Sequence, residues 1–293
     1  MQIGDYKIYS VQTGLFKLDG GAMFGVVPKT LWSRLTPNDE LNRMDMCTRA
    51  ILLVSKDKKI LVDTGIGYKL SEKINKIYDV DYSKYTLESS LKDLGYSRED
   101  ITDVILTHLH FDHCGGNTYY DEEKILKLSF PNAIYHVQKK HYEWALNPTE
   151  RDKASFFPEN YKILEDKKVL NLINGESDFD KFIRLIPVNG HTSNMQLLKI
   201  SDGDHTLMYL ADLVPTASHI PLPYIMGYDL FPLTTLEEKT KILKEITDKK
   251  YKVMFEHDPY TECGEIQLTE KGYSLKGKFS LADSAIINST ITT

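Results

Sequence analysis

Cysteine is scarce in this chain. Cys47, Cys114 and Cys263 are the only three among 293 residues, and they lie far apart. An odd, scattered set argues against a disulfide framework, and a reducing cytoplasm is the expected location. Basic charge is not in excess either. Thirty-six Lys and Arg face 42 Asp and Glu, for a net charge of −6. No broad cationic surface for nucleic acid is expected. Long apolar runs are missing: none approaches the roughly 18 residues of a membrane span. The opening Met1-Gln2-Ile3-Gly4-Asp5-Tyr6-Lys7 has no apolar stretch of signal-peptide length. No low-complexity linker interrupts the chain. One domain over 1–293 is expected, with a flexible polar tail at 280–293, and the length suffices for a sizeable core.

Strand-like and helix-like patterns alternate along the chain. β-Branched and aromatic runs predict strands at 6–15, 49–55 and 59–62, the last two joined by a turn at Lys56-Asp57-Lys58. Leu87, Leu91 and Leu94 fall on one helical face, with Gly95 as a stop. Further strands are expected at 103–107, 133–137, 182–187, 195–201, 206–210 and 252–255. A late hairpin is expected from 265–268 and 273–276. A helix should pass through His141 and Trp144. Another should open on the capping-box pattern Thr235-Leu236-Glu237-Glu238. This mixture predicts a layered α/β or α+β fold.

The densest chemistry lies at Thr107-His108-Leu109-His110-Phe111-Asp112-His113-Cys114-Gly115-Gly116, directly after the apolar Val104-Ile105-Leu106. Four metal-capable side chains occupy six positions. Imidazole with carboxylate suits zinc and similar metals. In an extended segment alternate residues share a side, so His108, His110 and Asp112 would face one way. His113 would face elsewhere until the chain turns at the glycines. Two adjacent ions suit this arrangement better than one. The zinc-protease pattern His-Glu-x-x-His is absent.

The motif resembles the signature of the metallo-β-lactamase-fold hydrolases. Later segments resemble that family's remaining steps, in order: Gly190-His191-Thr192, Tyr209-Leu210-Ala211-Asp212 and Phe255-Glu256-His257-Asp258. Leu61-Val62-Asp63-Thr64-Gly65 resembles the family's early Asp-x-Gly turn. The resemblance implies an αββα sandwich of two mixed sheets flanked by helices. It also implies two divalent metal ions, zinc first, with Mn, Fe or Co as alternatives. One ion would take His108, His110 and His191, the other Asp112, His113 and His257, and Asp212 would bridge them. Five of the nine histidines are thereby used.

Two ions about 3.5–4 Å apart clamp a hydroxide and polarise a carbonyl. Asp112 or Asp212 would relay the proton to the leaving oxygen. Asp63 would orient a ligand imidazole. The glycine-broken apolar stretch Asp19–Trp32 suggests a wall beside the metals, with Met23, Phe24 and Trp32 as its candidates. Phe111, His219, Tyr224 and Tyr228 would add to it. The exposed share of this stretch would equally suit a contact between two copies of the chain. With Leu222–Asp229, these segments resemble the quorum-quenching lactonases, which open N-acyl homoserine lactones, and the neighbouring organophosphate hydrolases. Some lactonases carry a Tyr three residues after the bridging Asp, where this chain has Pro215.

A small ester or lactone is the expected substrate. Phosphotriester or phosphodiester hydrolysis on the same metals is the alternative. Thioester hydrolysis of the glyoxalase II type lacks a basic cluster for glutathione. A redox diiron protein would have Glu where His110 stands. A non-catalytic metal-binding module is the reading from outside the enzymes.

Overall fold

The computed structural model describes residues 1–282. The tail expected over 280–293 therefore lies, from 283 onward, outside the described residues. Leu281 at its start is held: its N–H donates to Glu262 Oε1 at 2.8 Å, and its carbonyl accepts from the Met1 ammonium at 3.0 Å. The fold is mixed α/β. It has two seven-stranded sheets, a small ribbon pairing Thr118–Tyr120 with Leu126–Leu128, and helices. Among the described residues no helix is long and apolar enough to cross a membrane.

The chain divides into two compact units. One comprises Asp5–Phe16 and Cys47–Gly175; the other comprises Met1–Gly4, Lys17–Met46 and Glu176 onward. In the first, Lys59–Val62, Asp103–Ile105, Ile134–Gln138 and Leu170–Ile173 pair in parallel, and residues 51–54 pair antiparallel with Lys59–Val62. Parallel strands buried on both faces need near-continuous apolar sequence. Ile60, Leu61, Val62, Val104 and Ile105 meet that need, each fully buried. Val104, Leu61 and Tyr135 pack with Leu87 and Leu91 of the helix Leu87–Asp93. Because the strands are parallel, the loops after Val62, Ile105 and Gln138 leave from one edge. Asp63 and the metal-type motif are therefore neighbours by topology.

In the second unit, Ile183–Val188, Met195–Ser201 and Thr206–Tyr209 form an antiparallel meander, and Lys252–Met254 runs parallel to Thr206–Tyr209. Ile183–Val188, Thr206–Tyr209 and Lys252–Met254 thus share one direction. The loops carrying His191, Asp212 and His257 follow their C-terminal ends, again at one edge. The helix Pro232–Lys249 buries Thr235, Lys239, Ile242, Leu243 and Ile246, a single face at helical spacing.

Two sequence expectations need correction, the start of the late helix and the turn in the metal-type motif. The late helix opens at Pro232, one turn before Thr235, because proline suits the first helical position. Glu238 is not a cap, since its carboxylate accepts from the Asn189 and Gly190 N–H groups at 2.7 and 2.9 Å. The glycine-broken stretch 19–32 is no single element and forms two short helices, Gly20–Phe24 and Lys29–Trp32. The metal-type motif turns earlier than the glycines: Phe111–Cys114 is already one helical turn, so Asp112 and His113 lie on a helix and only His108 and His110 lie in the loop before it.

Candidate metal centre

In the first unit, Asp63 ends its strand in the left-handed region, at φ 59°. Its side chain is fully buried. Oδ1 accepts from the Thr107 N–H at 2.8 Å and Oδ2 from the Thr107 hydroxyl at 2.6 Å. The Thr107 hydroxyl has one proton, and Asp63 takes it. Its contact with His108 Nδ1 at 3.0 Å must then be a bond donated by the imidazole. His113 Nδ1 lies 3.1 Å from Asp63 Oδ2 and donates to it. Both tautomers are thereby set, with Nε2 the unprotonated nitrogen in each. A carboxylate behind an imidazole fixes its orientation and raises its basicity. The His108 and His113 rings are 3.8 Å apart, and His108 Nε2 faces His110 Nδ1 at 3.0 Å. Asp112 Oδ2 is 3.8 Å from His113 Nε2. Cys114 donates its thiol to the Leu109 carbonyl, and burial pushes that thiol far up, so it stays protonated and packs.

In the second unit, the N–H groups before His191 are held by Glu238, and Gly190 passes so close to the late helix that a Cβ would lie 2.4 Å from the Thr235 backbone. His191 Nδ1 is 2.9 Å from Asp229 Oδ1, and its Nε2 is 3.1 Å from Asp212 Oδ2. The other oxygen of Asp212 is 3.1 Å from His257 Nε2. Each oxygen of one carboxylate thus faces a different imidazole. Burial alone would lower the His191 pKa, but the charges and hydrogen bonds of Asp212 and Asp229 outweigh it and raise the value to about 9. Asp258, next to His257, is occupied: it accepts from the backbone of Tyr260, Thr261 and Ala217. The donor set of imidazoles and carboxylates in both units fits borderline divalent metals.

The apolar candidates are placed differently from expectation. Phe24 stacks on Trp32 at 5.1 Å and on His219 at 4.5 Å, both at 8° between planes, with Tyr224 edge-on at 5.9 Å. Met23, Phe24, Trp32 and His219 are all 1% exposed or less. His219 uses both ring nitrogens: Nδ1 accepts from Thr216 Oγ1 at 2.8 Å, and Nε2 donates to the Met23 carbonyl at 2.9 Å. These four residues are interior packing in the second unit and present no open wall. Tyr228 is 40% exposed. Phe111, in contrast, stacks on half-buried Tyr78 at 5.0 Å, with half-buried Phe157 at 5.6 Å, an aromatic row beside Asp112.

Burial also drives the His219 pKa down to about 3, against an ordinary 6.5. The unfolded chain therefore binds a proton that the fold excludes between those values. Stability from this group is full above pH 6.5 and is lost as pH falls toward 3. Urea midpoints at pH 7 and pH 5 should differ more for the wild type than for His219→Gln. Equal slopes would contradict the burial argument.

The sequence profile of the metallo-beta-lactamase superfamily matches residues 48–257. The chain belongs to that superfamily. Among superfamily relatives, the N-acyl homoserine lactonase of Bacillus cereus is 29% identical over 282 residues, covering 88% of this chain and 95% of the relative. That of Bacillus thuringiensis is 28% identical over 274 residues, covering 85% and 91%. A probable metal-dependent hydrolase from Staphylococcus aureus superposes with a TM-score of 0.86 at 28% identity, over 96% of this chain and 98% of the other. AidC, a dizinc quorum-quenching lactonase, superposes at 0.78 with 23% identity, over 95% and 96%, which shows the shared superfamily fold.

Sequence reasoning missed Asp229, Thr107 and Glu238 as supports. Asp229 stands in Gly227-Tyr228-Asp229, but no spacing rule links it to His191, 38 residues earlier.

Proposed function

We propose that this chain is a di-metal hydrolase that opens lactones, with N-acyl homoserine lactones as the best-supported substrates. The carrying observation is Asp212, whose two oxygens each face one imidazole, in a chain whose lactonase relatives match over most of their length. His108, His110 and His191 would hold one ion; Asp112, His113 and His257 would hold the other; Asp212 would bridge them. Zinc suits these donors best, and Mn, Fe or Co would also bind.

When bound, such a pair supplies Lewis acidity to an ester carbonyl and a water acidic enough to react at neutral pH. The chain's own residues do the rest. Asp63, Thr107 and Asp229 hold the ligand imidazoles in one tautomer and one orientation. Asp112 is, with His110, the least buried of the seven proposed ligands, at 8% exposure. It would hold a proton and pass it to the alkoxide oxygen of the opened ring, a role that Pro215 cannot fill. Tyr78, Phe111 and Phe157 would form the apolar platform for an acyl chain, in place of the buried Phe24 stack.

The test is a panel of short- and long-chain homoserine lactones and paraoxon on zinc-loaded protein. Lactone opening should be abolished by a chelator, and Asp112→Ala should lower kcat about 10²–10⁴-fold, the range for a general acid. Turnover of paraoxon alone would favour the phosphotriester reading. No turnover with metals bound would favour the non-catalytic one.

A further inference from the structure

After Leu106, whose N–H donates to the His136 carbonyl at 2.9 Å, the motif leaves the sheet ladder. The Leu109 peptide group between His108 and His110 must then find partners elsewhere, because it is fully buried. Side chains supply both. The Leu109 N–H donates to His141 Nε2 at 2.8 Å, and its carbonyl accepts from the Cys114 thiol at 3.3 Å.

His141 is itself fully buried, on the helix Lys139–Leu146. That helix follows a strand parallel to the one before the motif, so it starts at the same sheet edge. The His141 ring touches the motif in two further ways. It lies 6.1 Å from the His108 ring, nearly perpendicular at 76°. It also lies 5.9 Å from Phe156, whose ring packs edge-on against His110 at 4.8 Å.

We infer that His141 is a positioning residue of the metal centre, acting through the Leu109 peptide to fix the spacing of His108 and His110. This rests on the proposed metal-binding role of those two histidines. Nε2 accepts a hydrogen bond, so the ring proton sits on Nδ1, and His141 cannot offer Nε2 to a metal while it holds Leu109. Its contribution is to orient two ligands before an ion arrives. Partners of this kind are worth about 10–100-fold in metal affinity.

The experiment compares wild type, His141→Leu and His141→Gln. Gln keeps an acceptor within reach of the Leu109 N–H, while Leu keeps the bulk without one. Zinc affinity is read by competition with a chromogenic chelator, and ligand geometry by the visible spectrum of the cobalt-loaded protein. His141→Leu should bind zinc about 10–100-fold more weakly with an altered cobalt spectrum, and His141→Gln should restore most of both. Wild-type affinity and spectrum in His141→Leu would overturn the inference. A wild type that binds no metal would instead overturn the metal-centre reading, and this inference with it. Should His141→Leu not fold, amide exchange in the wild type decides: Leu109 must be strongly protected, and exchange at the rate of an open loop would overturn the proposal.

Discussion

Asp212→Asn is expected to leave the chain with at most one firmly bound ion and to lower kcat/KM for lactones by roughly 10³-fold. The loss should exceed the 10–100-fold typical of an outer partner, because Asp212 is proposed to touch both ions. The carboxylate faces His191 with one oxygen and His257 with the other, each at 3.1 Å. An amide keeps one oxygen and replaces the other with an NH₂ group, which cannot ligate a cation. It also removes the negative charge that does most to raise the His191 pKa against burial. Elemental analysis and lactone kinetics on the same sample check both halves. Two retained ions with unchanged turnover would remove Asp212 from the bridging position.

Gly115→Ala should be the most damaging single methyl group in the first unit. A Cβ there would lie 1.8 Å from the Ile66 carbonyl oxygen and 2.5 Å from its carbon. The obstruction is backbone, so no side chain can rotate away. The crowding is reciprocal: a Cβ at Gly67 would lie 2.4 Å from the Gly115 oxygen, and one at Gly116 would lie 2.2 Å from the Thr64 oxygen. The turn after Asp63 and the turn after His113 therefore interlock. Overpacking usually costs about 1–3 kcal/mol, and two rigid backbones place this case at about 3 kcal/mol or above. Denaturant midpoints should show it, together with weaker metal uptake, since His113 must move with its loop. Gly277→Ala, with nothing within 4 Å of the added carbon, is the control and should stay within about 0.5 kcal/mol. Equal midpoints for the two variants would contradict the interlock.

Much of this was legible in the sequence because local rules and tertiary demands agree there. The run Lys59–Val62, the strand after Ile101 and the meander from 183 to 209 are apolar where the sheets bury them. The motif's histidines announce themselves by density. Where prediction failed, a distant partner decided. Glu238 looks like a cap, but the backbone of the His191 loop claims its carboxylate. Met23, Phe24 and Trp32 are apolar enough for a ligand wall, but His219, nearly two hundred residues on, stacks over Phe24 and closes it. His141 shows no sequence sign of its role, because that role depends on one backbone N–H between two proposed ligands. Burial also governs Lys239, whose ammonium donates to the carbonyls of Pro221 and Tyr224 at 2.8 Å each and is pushed down to about 7. Its helical spacing from Ile242, Leu243 and Ile246 puts it on the buried face, whereas Lys241, Lys244 and Lys249 of the same helix are exposed.

The most direct test of the central claim is anomalous diffraction at the zinc edge from crystals of the reconstituted protein. Two peaks about 3.5–4 Å apart are predicted, with His108, His110 and His191 about one, Asp112, His113 and His257 about the other, and Asp212 between them. A single peak, no peak, or two peaks with Asp212 turned away from both would contradict it.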